Sequence, residues 1–139
     1  MKHNGKESGR RFRRRATALV EFALVAPMLF TILFGIVEYG YVYMVRQTMT
    51  NAAREGCRVG ILQSSTEADV LGIVDTMMAP TGVSSYTTEF TPATADDPIN
   101  TVVISTTYDA ISLLPGFFSE VIGDISVSCS MREEGAAGP

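Results

Sequence analysis

From Phe22 to Val37 the chain reads FALVAPMLFTILFGIV, sixteen positions without a charge. As a helix this run is about 24 Å long at 1.5 Å per residue, short of the roughly 30 Å hydrocarbon layer of a bilayer. Extending it to Thr17 and Val45 makes it long enough, and brings in Glu21 and Glu38. Glu38 falls off-centre among Tyr39, Tyr41 and Tyr43, residues of the kind that line membrane interfaces, and is expected to reach water there. Glu21 lies nearer the basic end and is harder to dismiss: it either reaches back toward Arg13–Arg15 or calls for another partner. Pro27 predicts a local kink that membrane helices tolerate.

Helical spacing continues through RQTMTNAAREGCRVGILQ, residues 46–63. One row holds Met49, Ala53 and Cys57; another holds Ala52, Gly56 and Gly60, small residues four apart that let another backbone approach closely. That backbone is a sheet of the same chain or a neighbouring helix. Arg46, Arg54, Glu55 and Arg58 point the other way. Thr66 and Asp69 resemble a capping box opening a second helix at about 67–79, with Val70, Leu71, Val74, Met77 and Met78 apolar and Pro80 and Gly82 ending it.

The period then changes. Residues 84–91 and 101–108 carry the Thr, Val, Ile, Tyr and Phe typical of strands, with Asp96-Asp97-Pro98 in the turn between them. Residues 111–122 are too interrupted for a strand and predict a loop with one helical turn. Residues 124–131 alternate cleanly, Ile125, Val127, Cys129 and Met131 on one face and Asp124, Ser126, Ser128 and Ser130 on the other. The expected fold is α+β: a long N-terminal transmembrane helix continuing into a small exported domain with one short helix and an antiparallel sheet of about three strands. Such a sheet needs a cover for its apolar face, and the small-residue stripe of the first helix supplies one. The predicted segments are a basic cytoplasmic leader at 1–16, the transmembrane helix at 17–45, the exported domain at 46–132 and a disordered tail at 133–139.

Charge sets the orientation. Residues 1–15 hold seven bases against Glu7, a net of +6, and the rest of the chain holds four arginines against fourteen acids, a net of −10. A basic arm abutting an apolar span holds anionic lipid and keeps its side in the cytoplasm, so no nucleic-acid partner is expected. The other reading is a cleaved secretory signal, against which stand the length of the apolar run and the absence of an A-x-A site.

Cys57 and Cys129 are the only cysteines and His3, in the basic arm, the only histidine. Two cysteines do not make a tetrahedral zinc site, so no metal or cofactor is expected. In the predicted fold both cysteines lie on core-facing positions of an exported domain. They are either a disulfide or two buried thiols. The exported part has no His, no G-x-S-x-G elbow, no P-loop and no dinucleotide fingerprint. No enzyme activity and no small-molecule substrate are expected.

Residues 13–58, RRRATALVEFALVAPMLFTILFGIVEYGYVYMVRQTMTNAAREGCR, closely resemble the TadE-like family of pilus-assembly proteins. The matching motifs are Val20 to Pro27, Gly35 to Gly40 and Asn51 to Arg58, with a weaker likeness at Tyr108, Leu114-Pro115 and Met131-Arg132. The resemblance implies a minor pilin or pseudopilin of a tight-adherence, type IV-like pilus, built into it beside other pilin subunits. It further implies a leader removed at the cytoplasmic face of the inner membrane by a prepilin peptidase, between Ala16 and Thr17; Ala16 stands where the family usually has Gly. Glu21 then takes the place of the pilin carboxylate that pairs with a free N-terminal amine in the filament. The alternative is a stand-alone membrane-anchored envelope binding module that never enters a filament.

Overall fold

The computed structural model describes residues 5–62, 64–94, 96–113 and 123–132, with side chains from Arg15 onward. Residues 114–122 of the loop predicted at 111–122, the Leu114-Pro115 likeness and the tail at 133–139 lie outside these residues. So do the side chains of the basic arm before Arg15. The architecture is α+β, with a long apolar N-terminal helix, a short helix and a three-stranded antiparallel sheet. Helix α1 runs from Gly5 to Gly60 and passes through Pro27 without interruption, while Thr31 Oγ1 donates to the Pro27 carbonyl at 2.9 Å. The chain divides into two compact units, Met1–Val37 and Glu38–Pro139.

Within the second unit, α2 (Glu67–Met78) begins on the expected capping box. Thr66 accepts from the Asp69 amide, and the Asp69 carboxylate accepts from the Thr66 amide at 2.8 Å. These bonds hold the Asp69 carboxyl below its ordinary range. A 3₁₀ turn at Ala79–Thr81 closes on Gly82, whose φ of +71° is the left-handed conformation that favours glycine.

The sheet has the order β1 (Tyr86–Thr91), β2 (Ile99–Thr106), β3 (Ile125–Arg132), all antiparallel. Phe90, Val102 and Cys129 lie side by side across the three strands. The inner face of β2 is Asn100, Val102, Ile104 and Thr106, all buried. On the outer face hydroxyls pair across strands, Thr101 with Ser130 at 2.9 Å and Ser105 with Ser126 at 3.2 Å. The predicted alternation of β3 is the observed one: its Ile, Val, Cys and Met are partly covered and its serines exposed.

The second strand differs from its predicted span of 101–108. It starts two residues earlier because Asn100, polar yet turned inward, finds buried partners. It stops at Thr106 because Tyr108–Ile111 forms a helical turn, α3. The core joins Val45, Met49, Ala52, Ala53 and Cys57 of α1 to Val70, Val74 and Met78 of α2 and to Val102 and Ile104 of β2. Burying each larger apolar side chain contributes about 1.5–3 kcal/mol. The stripe read from sequence is therefore an intramolecular contact, with Arg46, Arg54 and Arg58 exposed opposite it.

Candidate functional site

In the first unit, Leu19, Phe22, Leu24 and Met28 are exposed by 65–76 % and Phe30, Ile32 and Phe34 by 51–54 %. Apolar side chains occupy every face, the composition of a helix whose surroundings are lipid or other apolar helices. From Arg15 the helix is long and apolar enough to cross a membrane, and none of its most apolar stretch is buried within the chain. Phe30 and Phe34 stack at 6.3 Å along it. Ala16, Thr17 and Glu21 are all helical and exposed in this unit.

Glu38 opens the second unit and is placed differently from its expected position at a membrane interface. It is 2 % exposed and forms part of the folded domain. Oε1 accepts from the Tyr108 hydroxyl at 2.8 Å and from the Ser112 hydroxyl, and the Leu113 amide donates to both carboxylate oxygens at 3.1 and 3.2 Å. A carboxylate with its lone pairs filled by a phenol, a hydroxyl and a backbone N–H is one that a fold can bury. Burial, and then the bond to Glu38, hold the Tyr108 phenol above its usual pKa. Tyr41 also departs from the expected aromatic belt: it is half-buried and donates to the Thr81 carbonyl at 3.3 Å. Tyr39 and Tyr43 remain exposed and stack at 6.4 Å.

The C-terminal end of α1 is fixed by a residue that the sequence reading passed over. Asn100 Nδ2 donates to the Gly60 carbonyl at 2.8 Å, and its Oδ1 accepts from the Ala93 amide at 2.6 Å. One buried side chain thus supplies an acceptor to the β1–β2 connection and a donor to a helix end whose last carbonyls have no helical partner. A polar residue opening a β-branched run, Asn100 before Thr101-Val102-Val103-Ile104, was the available signal.

Cys57 and Cys129 face each other across the helix–sheet contact, both as free thiols. Cys57 Sγ donates to the Cys129 carbonyl oxygen at 2.9 Å. Burial first, and the Cys129 thiol second, push the Cys57 thiol up to about 12. Among the described residues, no group of three His, Cys, Asp or Glu side chains converges as metal ligands would.

Comparison with known proteins adds one relation. Residues 16–58 match the family described as TadE-like protein, a span that takes in Glu21, Glu38 and Cys57 and ends before α2 and the sheet. No curated protein and no solved structure matches the chain. The match covers the exposed apolar stretch of α1 and the small-residue stripe as far as Gly56, and residues 16–58 of this chain are similar to a TadE-like domain.

Proposed function

We propose that the protein is a minor pilin or pseudopilin, a structural subunit of a tight-adherence, type IV-like pilus. The observation that carries this reading is a coincidence of boundaries. The TadE-like match begins at residue 16, one position before Thr17, and contains the whole stretch of α1 whose apolar side chains are left exposed. Before assembly lipid covers that helix, with the arginines of residues 10–15 holding its start at the cytoplasmic face of the inner membrane. Inside the filament, apolar helices of other pilin subunits replace the lipid.

Glu21 gives the exchange a direction. A carboxylate among Leu19, Val20, Phe22 and Leu24 is costly to keep in hydrocarbon, by about 2.5–3.5 kcal/mol on insertion scales. Pairing with the new amine of a neighbouring subunit, released by a prepilin peptidase between Ala16 and Thr17, offsets that cost. The folded unit from Glu38 onward is then the exported part, presented to other subunits.

The test is to express Glu21→Ala and Glu21→Gln in cells lacking the native copy and to probe sheared surface fibres and membranes with antibody to the folded domain. Wild-type protein in the fibre fraction, with both variants confined to the membrane, is the expected result. Wild-type protein found only in the membrane, with piliation unchanged by its removal, favours the stand-alone envelope module instead.

A further inference from the structure

Cys57 and Cys129, seventy-two positions apart, meet inside the core of the second unit. Cys57 opens the last turn of α1 and is fully buried; Cys129 is mid-strand in β3, in register with Val102. Their approach follows from the packing around them. A Cβ at Gly56 would stand 3.0 Å from Val74 of α2, tighter than ordinary contact, and 3.6 Å from Val102 of β2, an ordinary contact, so the glycine lets α1 lie close against α2 with β2 alongside. The contact brings Cys57 Sγ to 2.9 Å from the Cys129 carbonyl, with the Cys129 thiol near enough to act on it electrostatically.

We propose that Cys57 and Cys129 form an intramolecular disulfide that fastens the last strand to the first helix. The proposal rests on the exported topology argued above, because disulfides persist on the oxidising side of the inner membrane. The oxidant is the disulfide of an envelope thiol oxidoreductase. Cys129, the less covered of the two, loses its proton, and its sulfur attacks one oxidoreductase sulfur. That forms a mixed disulfide and expels the other sulfur as a thiolate. Cys57, deprotonated before β3 closes fully over it, attacks the Cys129 sulfur. The Cys57–Cys129 bond forms and the oxidoreductase leaves as a dithiol, carrying the two electrons and two protons. Once the sheet is docked, the burial that keeps Cys57 protonated also shields the bond from reductants. Tension entering through α1 then passes to β3 by a covalent route.

The experiment traps free thiols with N-ethylmaleimide in intact cells and purifies the full-length protein. The denatured chain is weighed with and without prior reduction, while protease is applied to spheroplasts in parallel. No adduct before reduction, two adducts after it, and a monomer on a non-reducing gel are expected. Each of Cys57→Ser and Cys129→Ser should then show one free thiol. For the unmutated protein, reduction should lower the melting temperature by about 20 °C, the size that chain entropy gives for a loop of this length in a small domain. Two adducts without reduction, or a linked dimer, overturn the proposal. If the thiols are free while the domain is digested from outside, the disulfide falls and the topology stands; if the domain is protected, both fall.

Discussion

Tyr108 reaches back seventy positions to donate a 2.8 Å hydrogen bond to Glu38, the residue with which the folded unit begins. The same carboxylate gathers Ser112 and the Leu113 amide, so the chain after β2 is tied to α1 through one acidic side chain. A carboxylate that gathers donors in this way is costly to remove, because leaving any donor unpaired in a buried place is expensive. Glu38→Ala is expected to destabilise the folded unit by about 3 kcal/mol or more. Glu38→Gln, which keeps one acceptor oxygen, should lose about half as much, and Tyr108→Phe about 1–2 kcal/mol. Urea unfolding of the detergent-solubilised protein, followed by near-ultraviolet circular dichroism, measures all three.

Two glycines of the second unit should respond in opposite senses. Gly56→Ala sets a methyl 3.0 Å from Val74, a buried β-branched side chain with little freedom to turn away, and should cost about 1–3 kcal/mol. Gly72, on the exposed side of α2, meets nothing within 4 Å of an added Cβ. Gly72→Ala should therefore raise stability by up to about 1 kcal/mol through helix propensity. The same unfolding curves separate the pair.

Asn100→Ala removes the acceptor for the Ala93 amide and the donor for the Gly60 carbonyl together. A loss of about 2 kcal/mol is expected. Amide exchange should show it locally, as faster exchange at Ala93 and in the last turn of α1, before the global midpoint moves.

Alkaline titration should expose Tyr86. Burial and its 2.7 Å bond to Asp75 raise its phenol from 10.0 to about 12. A raised folded pKa means that the folded state holds its proton longer than the unfolded chain. The stability it contributes is complete below pH 10 and is lost as pH rises through 12. Phenolate absorbance against pH should show a late step that Tyr86→Phe removes. An early step at Tyr86 would contradict the placement.

The parts of this fold legible in the sequence were those with a local period. The alternation of Ile125, Val127, Cys129 and Met131, the small-residue rows of α1 and the Thr66–Asp69 box each repeat on the spacing of the element they belong to. Residues 22–37 announced themselves by composition alone. Glu38 was misjudged because hydropathy weighs a residue by its sequence neighbours, Val37 and Tyr39, whereas its environment comes from Tyr108, Ser112 and a backbone amide at Leu113. Asn100 was overlooked for the same reason, its partners being Gly60 and Ala93. Polar side chains buried by distant donors leave no periodic trace.

Whether this chain becomes a pilus subunit turns on its first residue after maturation. Weighing the native protein from its own membrane, with sequencing of its amino end, decides the matter. A chain of 123 residues starting at Thr17, with Glu21 five positions in, is the outcome expected of a pilin-like subunit. A native chain that still carries Met1 through Ala16 would contradict assembly by this route.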